Sequence, residues 1–300
     1  MVKNIIVTGA TSMIGVALIE AAINVGVNVY AIVRPNTTRI ERLPKSEKVR
    51  VIKAELKDLS KVHIAEKCDV LYHFAWDGTV KGKRDDPILN EKNITYTFEA
   101  VELAYRTGCS KFVGAGSQAE YGPVSDRINV ETKFSPNLSY GVSKYAAGVL
   151  SKKICEKYEI VHIWGRIFSV YGRWNNKGSL LDYAISNFIR GENAYFSSGE
   201  QKWNFLYEKD AGEIFLRMGQ KIRESKEIIV ASNETRPLRE FLELTANTLK
   251  CIELCHFASE DCGETYGIDP DVTETERILG KINFCSFRSG IRMVIEQYKT

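Results

Sequence analysis

The chain has 300 residues, 44% of them hydrophobic, enough apolar material for a large core in one domain or two small ones. Forty-one basic residues against 38 acidic ones leave a net charge of +3, scattered along the chain, which gives no case for a nucleic-acid partner. The opening MVKNIIVTG runs straight into strand-like sequence with no signal-peptide plan, and no apolar run is long enough to span a bilayer, so a cytoplasmic protein with no membrane partner is expected.

Residues 4–8, NIIVT, form a short β-branched run, followed by GATSMIG at 9–15 and an apolar-periodic stretch through Val25. This predicts a strand, a tight glycine turn and a helix. Backbone N–H groups at such a turn, with the positive helix end, can hold a pyrophosphate. Gly9 makes the turn and Gly15 lets the helix approach the sheet; Ser12 stands at the middle glycine position and keeps a hydroxyl donor there. Further apolar runs at 28–33, 49–54, 69–74, 111–115, 160–164 and 227–231 alternate with helical patterns near 60–67, 86–107 and 138–157. The alternation predicts an α/β fold with a doubly wound parallel sheet and its ligand crevice at the carboxyl ends of the strands.

Tyr140 and Lys144, in the run YGVSK, fall four apart on the last of these helices and so share a face. At neutral pH only about one tyrosine in a thousand is ionised, and an adjacent ammonium favours the phenolate. The pair is a candidate proton-transfer site. Beyond about residue 170 the alternation loosens into RWNNKGSLLDY and YFSSGEQKWNFLYEKD, where a smaller C-terminal substrate-binding lobe is expected. The division read from this is a dinucleotide-binding domain over 1–170, with 225–250 returning to it, and a lobe made of 171–224 and 251–300. Seven cysteines, 68, 109, 155, 251, 255, 262 and 285, are odd in number and widely spaced, which suits reduced thiols. Cys251, Cys255, His256 and Cys262 lack paired CxxC spacing, so packing is preferred to zinc and no metal is expected.

The glycine turn, YGVSK and their separation together resemble the extended short-chain dehydrogenase/reductase family, in particular its nucleotide-sugar epimerases, dehydratases and reductases. The resemblance covers nearly the whole chain and implies a Rossmann sheet. KDL at 57–59, HFAW at 73–76, GSQAEYG at 116–122, NFLYEKDAGE at 204–213 and the tail LGKINFCSFRSGIRMVI match family segments in order. It implies that Ser117 hydrogen-bonds a reacting carbonyl, Tyr140 gives or takes the proton, and Lys144 lowers the tyrosine pKa and holds the nicotinamide ribose. For the cofactor it implies Gly9, Thr11, Ser12, Met13, Ile14 and Gly15 at the turn, Asp58 and Leu59 at the adenine, Phe74, Ala75 and Trp76 along the dinucleotide, and Asn93 and Ile167. For the substrate it implies Gln118, and Ser169 where relatives carry a diphosphate-contacting asparagine, so phosphate recognition leans on Arg166, Lys177 or backbone groups. Trp203 either stacks on a base or packs in the lobe, and Thr79 and Lys81 border the crevice.

Two departures narrow the reaction. Gln118 and Ala119 stand where 4,6-dehydratases of the family have their Asp and Glu, and where Ala119 stands the epimerase-reductases that make GDP-fucose carry a cysteine; Glu120 is read as a solvated loop charge. The end of the second strand carries Arg34 and no acid, which favours NADP(H) over NAD(H), because an arginine there accommodates a 2′-phosphate. The expected activity is therefore NADPH-dependent reduction of a nucleotide-diphosphate 4-keto-6-deoxyhexose at carbon 4. A nucleotide-sugar 4-epimerase with NAD is the first alternative and a non-catalytic NADP(H)-sensing regulator the second. The family also implies a homodimer through a four-helix bundle of the 86–107 and 138–157 helices, with Ala100, Ala104, Ala146, Ala147 and Gly148 small enough for close packing.

Overall fold

The computed structural model describes residues 2–79, 82–260 and 266–298. Seven parallel strands form the central sheet: β1 (Asn4–Thr8), β2 (Asn28–Val33), β3 (Val49–Lys53), β4 (Val70–His73), β5 (Lys111–Ser117), β6 (Val161–Ile167) and the later strand Lys226–Val230. The spatial order is the later strand, then β6, β5, β4, β1, β2 and β3, so the order of winding reverses between the parallel neighbours β1 and β4, where a crevice opens at their carboxyl ends. The doubly wound sheet expected from the alternation is present.

Both faces are covered, which is why the central strands are near-continuous apolar runs. Ile5, Val7, Val29 and Ala31 face one core, and Ile6, Tyr30, Ile32, Leu71 and Phe112 face the other. The first core is closed by α1 (Met13–Asn24), whose N-cap Ser12 accepts the Gly15 amide at 3.1 Å. The second is closed by α2 (Pro87–Arg106) and α3 (Ser139–Lys157). Asp86 caps α2, accepting the Ile88 and Leu89 amides at 3.0 Å, and Pro87 supplies a first-turn residue that needs no amide partner.

Beyond β6 lie β7 (Ser169–Tyr171), α4 (Leu180–Arg190), β8 (Ala194–Phe196), β9 (Lys202–Tyr207), α5 (Glu208–Lys221), the seventh sheet strand as β10, β11 (Thr235–Pro237), α6 (Leu238–Leu249) and β12 (Cys255–Phe257), then α7 (Thr273–Leu279) and α8 (Phe287–Tyr298). A smaller lobe gathers α4, α6, α8 and β9 around Tyr171, Phe205, Phe241 and Phe287.

Several boundaries read from the sequence move. Helix α5, inside the expected lobe segment 171–224, packs on α1 in the first core, because Gly212 lets its backbone close on Ala17. Helix α6, inside the segment 225–250 expected to return to the sheet, belongs to the lobe; only β10 returns. The helix expected near 60–67 is a 3-10 turn, Leu56–Lys61, followed by extended chain. Ala100, Ala104, Ala147 and Gly148 are buried within the chain, so they are not the outward bundle surface. Cys68, Cys109, Cys155 and Cys251 are buried packing residues, and Cys262 and Lys81 lie outside the described residues. Among the described residues no cluster of three His, Cys, Asp or Glu is placed to hold a metal, and no helix is long and apolar enough to cross a membrane.

Candidate active site

The crevice is a cleft of about 500 Å³ between the carboxyl ends of the strands and the smaller lobe. Ser12, Met13, Ile14, Phe74, Trp76, Thr79, Ser117, Gln118, Tyr140, Lys144, Ile167, Ser169 and Trp203 all line it. These came from segments spread over nearly two hundred residues of sequence, and the sheet's reversal brings them to one place.

Local structure explains the centre. Strand β5 ends at Ser117, and the next residues, Gln118–Glu120, make a single 3-10 turn. The start of α3 packs on that turn through Gly141, where a Cβ would lie 2.2 Å from the Ala119 carbonyl oxygen. Ser139 also ties α3 to the loop before α2, its amide donating to Asp85 at 2.7 Å. Tyr140, between these anchors, is thereby set facing Ser117 on the cleft wall. Burial raises the Tyr140 pKa above its ordinary value, while the Arg84 guanidinium, 4.4 Å from the ring centroid, and the nearby Ser117 hydroxyl pull it down.

Lys144 is 4% exposed. Its Nζ donates to the Ala115 carbonyl at 2.8 Å and sits 3.7 Å from the Trp76 ring centroid. Trp76 is itself fixed by Asn90, which accepts its Nε1–H at 3.1 Å, and meets Tyr140 edge-on. Desolvation lowers the Lys144 pKa to about 7; Glu120 opposes the shift and Arg84 adds to it. The phenol therefore keeps its proton at neutral pH, while the lysine can lose its own there.

At the other end the cleft fits a dinucleotide. Gly9 has φ +66°, and a Cβ there would lie 2.7 Å from the Ala75 nitrogen; one on Gly15 would lie 2.5 Å from the Gly9 carbonyl. Only glycines let the turn close this far. The first-turn amides of α1 then face the cleft with no acidic residue beside them. Arg39 and Arg42 line the cleft at this end, and Arg42, over the Trp174 ring, has its pKa lowered by burial and by Arg39. Two cations stand close together on this wall, with Glu41 partly offsetting the charge of Arg42.

Other expected residues are not on the cleft wall. Arg34 is exposed just past β2 and outside the lining, which Arg39 and Arg42 provide instead. Asp58 pairs with Lys61 at 2.6 Å, and Leu59 is fully buried with its carbonyl accepting from Arg106. Asn93 holds the loop after β4, accepting the Asp77 amide at 2.8 Å and donating to its carbonyl at 3.0 Å. Thr11, Ala75 and the exposed Lys177 are not among the lining residues. The expectation that Arg166 binds phosphate is corrected: its side chain is 2% exposed, paired with Glu120 at 2.8 Å and Glu227 at 2.7 Å. Glu120, read as a solvated loop charge, is fully buried. Trp203 both packs against the lobe's apolar residues and reaches the cleft.

Arg39, Arg42, Arg84 and Trp174 escaped the sequence reading. Arg39 and Arg42 carried one faint signal, two cations three apart after the second strand. Arg84 carried none, since its partner Tyr140 is remote in sequence.

A family model described as "NAD dependent epimerase/dehydratase family" matches residues 5–231. The chain belongs to that family. This epimerase/dehydratase family member is 21% identical to YtcB of Bacillus subtilis (strain 168), described as an uncharacterized UDP-glucose epimerase, over 96% of this chain and 95% of that protein. It superposes with a TM-score of 0.88 on a UDP-N-acetylglucosamine 4-epimerase from Methanobrevibacter ruminantium M1 solved with UDP-N-acetylmuramic acid, at 23% identity, covering 99% and 98% of the two chains. A UDP-glucuronic acid 4-epimerase from Bacillus cereus, solved with NAD, gives 0.85 at 20% identity, covering 99% and 96%. At these identities the likeness to the solved structures is one of fold.

Proposed function

We propose that this protein is a nucleotide-sugar 4-epimerase using a retained nicotinamide dinucleotide, with Ser117, Tyr140 and Lys144 as its reacting cluster. The observation that carries the proposal is that Ser117, Tyr140 and a desolvated Lys144 line one cleft together. Gln118 and Ala119, which have no proton to trade, follow the serine, so an elimination lacks its acid and base. One proton-handling phenol suffices for reversible oxidation of an alcohol. The solved epimerases of the same fold support a 4-epimerase over the ketoreductase first expected.

When bound, the nicotinamide supplies reversible hydride transfer. Tyr140 takes the sugar hydroxyl proton and later returns it, Ser117 donates a hydrogen bond to the oxygen as charge develops, and the Lys144 ammonium stabilises the phenolate. Met13 and Ile14 offer backbone donors to the pyrophosphate, and Arg39 and Arg42 neutralise charge on the same side. Gln118 at the end of β5, with Ser169 and Trp203 across the cleft, takes the nucleotide sugar, in a cleft of drug-sized volume.

A second reading, the NADPH-dependent 4-ketoreductase, is favoured by Arg39 and Arg42, whose charges suit a 2′-phosphate. Two measurements separate the readings. Purified epimerase retains nicotinamide absorbance through gel filtration and interconverts UDP-sugars epimeric at carbon 4. A ketoreductase emerges empty and consumes NADPH with a nucleotide 4-keto-6-deoxyhexose. Turnover in neither assay would leave the regulator reading. We also propose a homodimer through the outward faces of α2 and α3, where Ile88, Tyr105, Val142, Val149 and Leu150 are exposed.

A further inference from the structure

Behind Ser117 lies a fully buried carboxylate that the proposed chemistry does not use. Glu120 Oε1 accepts the Ser117 backbone N–H at 2.7 Å and the Trp164 indole N–H at 3.0 Å, and Oε2 accepts from Arg166 Nε at 2.8 Å. The Ser117 hydroxyl accepts the Ala119 amide at 3.2 Å, so the serine and the glutamate cap one another across a single turn. Arg166 continues to Glu227, which is 39% exposed. Arg166 packs on Phe134, 4.3 Å away, and does not line the active-site cleft.

The chain makes room for this network at three glycines. A Cβ on Gly114 would lie 2.2 Å from the Trp164 ring, on Gly116 2.4 Å from its nitrogen and 2.6 Å from Glu120, and on Gly148 2.8 Å from the ring. Burying an ion pair is an expensive route to stability that apolar side chains match or better. The contact that distinguishes this one is its end point, the amide of the residue whose hydroxyl faces the phenol.

We propose that Glu120 is a positioning residue: it fixes the Ser117 backbone so that the hydroxyl faces Tyr140, and it keeps a negative charge beside the Tyr140–Lys144 pair. The reaction in which it acts rests on the reading above; the geometry does not. The groups facing the pair are Arg84 from the loop before α2, Ser117 and Glu120 from the end of β5, His73 from β4 and, behind Glu120, Arg166 from β6. His73 is buried with a pKa lowered to about 3 and is neutral, so Glu120 is the anion among them. Its charge favours the protonated forms of both Lys144 and Tyr140.

The test compares the full-length protein with Glu120→Gln and with Glu120→Gln/Arg166→Met, which removes both buried charges together. Tyr140 ionisation is followed by ultraviolet difference absorbance, with Tyr140→Phe as the blank. Removing the anion should bring the phenolate in at lower pH, by roughly one unit. It should cut kcat for UDP-sugar interconversion about tenfold or more, with KM within about twofold. An unmoved phenolate titration with wild-type kcat in the double variant overturns the proposal. So does failure of both variants to fold, which would make the network purely structural. Wild-type protein inert towards every nucleotide sugar would overturn the proposed function, and the phenolate titration would still decide the role of Glu120.

Discussion

Lys144 holds its ammonium against one carbonyl and one indole face, with water almost excluded. That environment depresses its pKa from 10.5 to about 7, and the depression has a thermodynamic sign. Between these values the unfolded chain binds a proton that the folded chain lacks, so this lysine makes stability rise as pH rises from about 7 to 10.5. Thermal melting of the cofactor-free protein across that window should show the rise, and Lys144→Met should flatten it; an unchanged slope in the variant would remove Lys144 as its cause. Tyr140→Phe keeps the ring against Trp76 but loses the proton. It should lower kcat by about 10²–10⁴ while leaving dinucleotide binding intact by fluorescence titration. Arg39→Ala and Arg42→Ala should each weaken NADPH more than NADH in direct binding, and equal losses would end the argument for a 2′-phosphate site.

At the scale of elements, β5 is shaped by what crosses it. Gly114 and Gly116 sit under the Trp164 ring, so an element that looks like a plain apolar strand is a platform for an indole and a carboxylate. Gly114→Ala should destabilise the fold by about 1–3 kcal/mol in denaturant titration through overpacking, with the far-ultraviolet spectrum retained. Two buried histidines add a second pH limit. His73, 2.8 Å from the Thr8 hydroxyl, and His162, 2.9 Å from the Ser151 hydroxyl, have pKa values lowered to about 3 by burial. Unfolded histidines bind protons below about 6.5 that the folded ones refuse, so stability should fall as pH drops from about 6.5 towards 3. His162→Gln should make that acid loss shallower in pH-dependent melting.

For the whole molecule, the outward faces of α2 and α3 carry Val142 at 49% and Val149 at 42% exposure, a solvent cost that a second copy would relieve. Sedimentation should give twice the chain mass of 33.9 kDa, and Val142→Glu with Val149→Glu should return it to the monomer. A monomeric wild type at micromolar concentration would refute the interface. The same two helices illustrate what a sequence leaves ambiguous. Their small residues are equally fit to meet a partner helix or the chain's own sheet, and Ala100, Ala104 and Ala147 meet the sheet.

The amino-acid order alone gave the alternating strands through β6, the helices α1, α2 and α3, the glycine turn and the Tyr140–Lys144 spacing. Each of these signals is local: apolar period, a glycine where the chain must turn tightly, and two residues one helical turn apart; Ser117 came from the family resemblance. Tertiary structure decided which charges face the cleft. Arg166 and Glu120 look like loop and strand-end charges in the sequence, yet folding presses them together 46 positions apart. Arg39, Arg42 and Arg84 look equally ordinary and line the cleft. Charge is long-ranged and indifferent to sequence separation, so its role is set only when the sheet has brought remote segments within reach and water has been expelled from between them.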